Sequence, residues 1–177
     1  FIQNTAISFR SGSSIYLSNV NYTKCLYSNL AENSNKNGAT INLRHFIDLN
    51  VFNCEMHKNK GPVVKAYYGQ RINSIENVFV ENIAINGVGL YINLCKYIVI
   101  ANTVFHYNKA IESGGAVLVM DPRHFNITNS TFSHNAAKSG AAVELQHCRL
   151  VTYKKCRFIH NSAQKYGIVT LLQCKII

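Results

Sequence analysis

The sequence predicts an all-β fold, a solenoid of about seven coils of roughly 26 residues, on two observations. An asparagine recurs three residues after an apolar residue, and a glycine recurs 18 residues before that apolar residue. The distance from the apolar residue to the next glycine varies from 5 to 9. A rigid unit followed by a connection of variable length is typical of stacked repeats. The asparagines are Asn4, Asn33, Asn59, Asn82, Asn108, Asn135 and Asn161. The glycines are Gly12, Gly38, Gly61, Gly87, Gly114 and Gly140, and Gly167 opens a further unit.

Three short strands per coil follow from the alternation inside each unit. Counted from the glycine, apolar residues recur at positions 3 and 5, as in Val117 and Val119. They recur again at 11 and 13, as in Phe125 and Ile127, and a third pair occupies positions 16 and 18. This period of two predicts strands with one inward face, and a crossover helix does not fit in the remaining residues. We expect a parallel β-helix with positions 3, 5, 11, 13 and 18 inside. Its interior should contain an aromatic stack of Phe79, Phe105, Phe132 and Phe158.

The asparagine and glycine columns are interpreted as turns. Asparagine tolerates the left-handed conformation, and its amide can bond both the backbone and the amide of the next coil. A stacked asparagine ladder at one corner is therefore the structural prediction, favoured over a catalytic role. Glycine marks a turn that needs an unusual backbone angle or a close approach.

Cysteines and sequons indicate the secretory route. The chain has six cysteines and three sequons, at Asn21, Asn126 and Asn129, which are candidate glycosylation sites. No signal peptide, initiator methionine or apolar stretch of membrane-spanning length is visible. Residues 1–177 read as one β-helix segment whose two ends cut through a coil, so we expect a piece of a longer extracellular or cell-surface protein.

The positions of the cysteines in the repeat limit which of them can form a disulfide. Cys148 and Cys174 fall one coil apart at nearly the same column, within bonding distance. We favour a disulfide there, and a stacked pair of thiols is the alternative. Cys54 and Cys156 share a column but lie four coils apart, about 19 Å at the usual strand spacing, so they should not pair.

Catalytic and metal motifs are sparse. Glycoside hydrolysis needs two carboxyl groups about 5 to 9.5 Å apart, but the eight acidic residues form no cluster. His134 and His160 share a column with no third ligand in it, so we expect neither a metal nor a cofactor. The sequence therefore predicts a protein that is not an enzyme.

Basic residues recur at positions 8 to 10 of five consecutive units. They are Arg71, Lys96, Arg123, Arg149 and Lys175. Like charges stacked across strands are mildly destabilising, and the net charge is +10. This basic row is either a solvated turn or a binding site for an acidic glycan or an acidic subunit. Nucleic acid is not expected, since no aromatic interleaving or recognition helix accompanies the charge.

Two segments carry a family resemblance. Gly114-Gly115-Ala116-Val117 with Phe132-Ser133-His134-Asn135, and the matching residues from Gly140 and Phe158, resemble the GGA(I/L/V) and FxxN repeats of polymorphic outer membrane proteins. More broadly, the chain resembles the right-handed β-helix, pectin-lyase-like superfamily. The resemblance implies a single-stranded right-handed parallel β-helix and, in function, an adhesive or structural surface protein. It carries over no catalytic residue.

These observations together predict a non-enzymatic, extracellular β-helix that serves as a rigid structural or adhesive rod. Its expected partners are other protein subunits or copies of itself, with acidic glycans as a further class. Two rivals stay open: a module that binds polyanionic glycans through the basic row, and a segment of a polysaccharide lyase or hydrolase.

Overall fold

A computed structural model describes residues 4–7, 15–34 and 39–175. Gly12, Gly38 and the side chain of Asn4 lie outside the described part. The described residues form strands and turns only, and all paired strands are parallel. No helix in the described ranges has the length and apolar character of a membrane span.

The strands, numbered in chain order, form three sheets. The first sheet has 11 strands: β1 Asn4–Ile7, β2 Ile15–Leu26, β4 Ile41–Phe52, β6 Val64–Ile75, β9 Leu90–Asn93, β10 Tyr97–Ala101, β13 Val117–Met120, β14 His124–Thr128, β17 Val143–Gln146, β18 Leu150–Lys154 and β21 Val169–Leu172. The second sheet has six: β3 Asn29–Ala31, β5 Glu55–His57, β7 Val78–Val80, β11 Val104–His106, β15 Thr131–Ser133 and β19 Arg157–Ile159. The third has four: β8 Ile83–Asn86, β12 Lys109–Ser113, β16 Ala136–Ala137 and β20 Ser162–Ala163.

The predicted solenoid is confirmed, with about six turns in the described residues. Strands of one coil pair with those of the next in direct register, as in Phe79 with Phe105 and Phe105 with Phe132. The first two predicted strands of each coil both lie in the first sheet. In the early coils they merge into the 12-residue strands β2, β4 and β6. The third sheet was not predicted, because it forms in the connection before each glycine.

The core follows the predicted inward positions. In the unit that begins at Gly114, Val117, Val119, Phe125, Ile127 and Phe132 are each at most 1% exposed. The phenylalanines stack through the interior, with ring centroids 4.8 Å apart from Phe79 to Phe105 and from Phe105 to Phe132. The stack continues to Phe158 at 5.1 Å, but this ring is 37% exposed, so the prediction that it lies inside is wrong. It lies on β19, the last strand of the second sheet, where no further described coil covers it. Burial of the other three rings, repeated from coil to coil, is the main stabilising contribution.

The turn geometry corrects one detail of the sequence interpretation. The left-handed residue is the one before each asparagine, not the asparagine itself. The residues with positive φ at this corner are Glu32, Lys58, Glu81, Tyr107, His134 and His160. This backbone reversal turns the asparagine side chain into the solenoid, where Asn82, Asn108 and Asn135 are fully buried.

The glycine column has the predicted backbone angle at four positions. Gly61, Gly87, Gly114 and Gly140 have positive φ. Gly167, by contrast, lies one residue out of this column. Val169 pairs with Val143, so Tyr166 and not Gly167 stands opposite Gly140. The last unit therefore begins one residue earlier than its glycine indicates.

Candidate functional site

The asparagine ladder is continuous through the described coils. Each Nδ2 donates to the Oδ1 of the next asparagine at 2.8 to 3.0 Å, from Asn33 through Asn161. Each Oδ1 from Asn59 onward also accepts the backbone N–H of the preceding asparagine. The second Nδ2 proton goes to a backbone carbonyl of the coil before, as in Asn108 to Phe79 at 2.9 Å. Every hydrogen-bonding position of Asn59, Asn82, Asn108 and Asn135 is thus used, which supports the structural role.

A second polar column lies at the corner before the second sheet, where position 16 of each unit faces inward. The Cys54 N–H donates to Asn77 Oδ1 at 2.9 Å, and the Thr103 N–H donates to Ser130 Oγ at 3.2 Å. Asn77, Thr103 and Ser130 are all buried. These side chains satisfy backbone groups at a corner as the asparagines do, so the column is structural as well.

One thiol pair was missed from the sequence. The sulfurs of Cys25 and Cys54 lie 3.5 Å apart in consecutive coils, and both residues are buried. The hydrogen bond from the Cys25 thiol lowers the pKa of Cys54 to about 7. The same interaction and burial raise the pKa of Cys25 far above its ordinary value. The sequence analysis compared cysteines at the same position of different units, and Cys25 is at position 13 whereas Cys54 is at position 16. The corner between these positions brings the two side chains together.

Cys148 and Cys174 lie in consecutive coils as predicted. The backbone N–H of Cys148 is 3.4 Å from the Cys174 sulfur, and burial raises the pKa of the Cys148 thiol to about 11. Both are free thiols in this structure, as are Cys54 and Cys156. The contact is present, and a disulfide between Cys148 and Cys174 stays a prediction.

The basic row is in register for four of its five members. The main-chain bonds place Arg123 next to Lys96, Arg149 opposite Arg123, and Lys175 opposite Arg149, and all four are exposed. Arg71 does not belong to this row, because it pairs with Tyr97, one residue further along. Its guanidinium instead binds Asp48 of the previous coil, with Nη2 to Oδ2 at 2.8 Å. Counting from the glycine had combined positions 8, 9 and 10 into one row.

An open groove lies on the outer surface where the first and third sheets meet. Its cavity measures 640 Å³ and is lined by Lys60, Pro62, Lys65, Ile83, Ile85, Tyr91 and Ile111, among others. Three of these side chains are isoleucines that are 48%, 55% and 55% exposed: Ile83, Ile85 and Ile111. Exposed apolar side chains are ordinary when scattered, but three together in a concave site indicate a binding surface.

Aromatic and basic side chains continue this surface across the first sheet. The Lys65 ammonium lies over the rings of Tyr67 and Tyr91, 5.6 Å and 5.3 Å from their centroids. The Arg44 guanidinium lies 5.0 Å from the centroid of Tyr67. Burial raises the pKa of both tyrosines, so they stay neutral and present polarisable rings beside fixed cations.

A family model described as a right-handed β-helix region matches residues 44–176. The chain belongs to this family. The match agrees with the stacked parallel coils, and it supports the hand that the repeat resemblance implied. No curated protein sequence matches the chain.

Several acidic residues of this β-helix are engaged by neighbouring side chains. Asp48 binds Arg71, and Glu112 accepts a hydrogen bond from Lys138 at 2.6 Å. Glu144 is buried and accepts from Gln146 at 2.8 Å. His134 and His160 are neighbours in consecutive coils as expected, with ring centroids 5.3 Å apart and the rings tilted by 41°. Within the described residues, no group of three His, Cys, Asp or Glu side chains is placed to hold a metal ion.

The three sequon asparagines differ in access. Asn129 is exposed at a left-handed corner and donates to Asn102 Oδ1 at 2.7 Å. Asn126 and Asn21 are half-buried within strands. Asn129 is therefore the most accessible acceptor of the three, and glycosylation of any of them stays a prediction.

Proposed function

We propose that this right-handed β-helix is a non-enzymatic, extracellular scaffold that presents a binding surface in a structural or adhesive assembly. The groove beside Lys65 and Tyr91 is the observation that carries this proposal. It is an exposed apolar surface held on strands of a rigid, continuously stacked core, and that arrangement suits the binding of another macromolecule.

The surroundings of the acidic groups support the non-enzymatic part. Asp48 and Glu112 are each held by a basic side chain of a neighbouring coil. A carboxylate engaged in this way is less available as a nucleophile or general base, because a cation already occupies its oxygens. These two acids thus tie adjacent coils together.

An activity screen tests this part directly. The purified chain is incubated with polygalacturonate, alginate and chondroitin sulfate, and new reducing ends and unsaturated products are measured. We expect no product above the background of a heat-denatured sample. Depolymerisation that disappears in Glu55→Gln, a substitution of an exposed and unpaired acid, would identify an enzyme instead.

Secretion from eukaryotic cells tests the extracellular part. We expect the secreted chain to carry a glycan that an endoglycosidase removes, with a mass shift that is absent in Asn129→Gln. The matched control is Asn102→Gln, which changes the neighbouring amide but no sequon. Retention of the unglycosylated chain inside the cell contradicts the proposed location.

Binding of polyanions is a second candidate function, favoured by the alignment of Lys96, Arg123, Arg149 and Lys175 on one edge. Exposed charges are screened within about 10 Å at 0.1 M salt, so retention on immobilised heparin should fall steeply with salt. Arg123→Glu combined with Arg149→Glu should reduce retention without unfolding the protein. The matched control is Arg71→Glu, which lies outside the row. Equal retention of the double variant and the wild type would mean that the row is a solvated turn.

A further inference from the structure

In the described part of the chain, the groove lies beside the edge of the third sheet, next to a coil that contributes no strand to that sheet. Four consecutive coils contribute β8, β12, β16 and β20 to the third sheet, and β8 is its edge strand. The coil before β8 has a connection of only five residues, from Met56 to Gly61, where the next coil has eight, from Phe79 to Gly87. This shorter connection has no room for a strand.

Only one residue of the short connection forms a β-bridge with β8, the bridge between Lys60 and Ile83. The Ile83 N–H donates to Asn59 at 2.9 Å, and the Ile83 carbonyl accepts from Gly61 at 2.8 Å. In a strand, residues two apart face the same side, so the backbone groups of Ile85 also point toward this side. There the chain has already turned away through Pro62, which has no N–H to offer. Among the residues that the structure describes, none pairs with β8 past Ile83, so the edge is open there.

An open strand edge is a template for another extended chain. Because the empty place in the third sheet is that of one short strand, an extended peptide fits it better than a helix or a compact ligand. The side chains of Ile83, Ile85 and Ile111 are exposed. To cover them, every second residue of the bound peptide must be apolar. Their extent favours aliphatic side chains over a sugar ring.

The charge of the groove favours one kind of extended chain over another. Lys60 and Lys65 stand on the wall of the groove, and none of its lining residues is acidic. A second copy of this chain has a net charge of +10, so its approach is opposed by repulsion. A segment that alternates aliphatic and acidic side chains is complementary in both respects.

We propose that the groove beside β8 binds an extended, acidic and aliphatic segment of a partner protein, which adds to the third sheet as the missing strand. This inference deepens the proposed scaffold function and rests on it. The partner's main chain pairs with Ile85, its aliphatic side chains cover the isoleucines, and its carboxylates face Lys60 and Lys65.

Three labelled synthetic peptides test the proposal by fluorescence anisotropy. One alternates valine and glutamate, one alternates valine and lysine, and one is the glutamate peptide with a central proline. We expect the glutamate peptide to bind and the lysine peptide to bind far more weakly. The proline peptide should lose binding, since proline removes a ladder donor. Equal binding of the proline peptide, or no binding of the glutamate peptide, overturns the proposal.

Two matched variants locate the site. Ile85→Lys should weaken binding of the glutamate peptide about tenfold, the effect of losing burial of one aliphatic side chain, even though it adds a favourable charge. Val104→Lys adds the same charge to an exposed apolar position on the second sheet and should leave binding unchanged. Equal effects of the two variants would place the peptide elsewhere.

The outcomes separate the docking site from the scaffold function. Polysaccharide cleavage together with intact peptide binding would overturn the proposed function and leave the docking site standing. A chain without cleavage activity that also fails to bind the peptide would overturn the docking site alone.

Discussion

The outer face of the first sheet is open at Lys65 and Tyr91 but covered at Leu118 and Glu144. These four residues lie in one column, in direct register from coil to coil. Leu118 and Glu144 are 3% and 2% exposed, whereas Lys65 and Tyr91 line the groove. The same position of the repeat therefore forms the wall of an open groove in one region and lies in the interior in the other.

Connection length distinguishes Lys65, whereas Tyr91 follows an eight-residue connection and lines the groove beside the short one. The connections that end at Gly114 and Gly140 have nine and eight residues and form β12 and β16. They fold over the column so closely that a Cβ on Gly114 would lie 2.7 Å from the Leu118 Cβ. The connection that ends at Gly61 has five residues and contributes two isolated bridges, both at Lys60. The rigid part of the repeat builds the solenoid, and the variable part decides where its surface is accessible.

The largest expected loss of stability tests whether the core is equally well packed in both regions. Phe79→Ala, near the groove, and Phe132→Ala, in the covered region, should each lower the free energy of unfolding by about 3 to 5 kcal/mol. Both side chains are fully buried in the same aromatic stack. Urea denaturation followed by circular dichroism measures the loss. A much smaller loss at Phe79 would mean that the open region is loosely packed.

The asparagine ladder runs through both regions. Replacing one of its asparagines should cause the next largest loss of stability. Asn108→Ala and Asn135→Ala should each cost about 1 to 3 kcal/mol, because each leaves buried backbone groups unpaired. Peptide binding by the folded variants should be unchanged. Weaker binding at an unchanged melting temperature would assign the asparagines a role beyond structure.

The cysteines offer a comparison between the first coils, where two sulfurs are in contact, and a middle coil with a single buried thiol. Cys25→Ala should raise the pKa of Cys54 from about 7 back to its ordinary 9.0 or above, because the thiol donor is lost and burial remains. Ultraviolet absorbance of the thiolate, followed against pH, measures the change. Cys95→Ala, which removes a buried thiol whose pKa burial raises to about 12, is the control. An unaltered titration in Cys25→Ala would mean that the two sulfurs do not share a proton.

The smallest expected effect on stability comes from the change that should matter most for binding. Three residues inserted after Lys60 lengthen that connection from five to the eight found before Gly87. Because loop closure depends weakly on length, we expect a loss below about 1 kcal/mol, while binding of the valine–glutamate peptide disappears. The same insertion after Gln164 is the control. Binding that survives the insertion after Lys60 would break the link between connection length and access.

Much of the fold was predictable because the repeat constrains it strongly. Alternation at Val117, Val119, Phe125 and Ile127 placed the core correctly, and the asparagine spacing predicted the ladder. Predictions that required the exact alignment of one coil with the next were less accurate. Arg71 and Gly167 were each misplaced by one residue, since counting from a glycine ignores small differences between coils.

The candidate site was harder to predict, because its signal was a deviation from the repeat. The five-residue connection before Gly61 was visible in the sequence, and so was the alternation of Ile83 and Ile85. Recognising a groove there requires knowing that longer connections form strands, which depends on pairing between coils. The Cys25 and Cys54 contact was missed for a related reason, since it joins two different columns across a corner.

The ladder amides all point the same way, each Nδ2 toward the Oδ1 of the following coil. Dipoles aligned head to tail polarise one another, so a bond in the middle of the row gains strength from the bonds on either side. A break at Asn108 leaves two short rows in place of one long row. The same substitution near an end only shortens it. The cost of losing an identical side chain should therefore depend on how many coils lie above and below it, so that repeats alike in sequence are unequal in what they contribute.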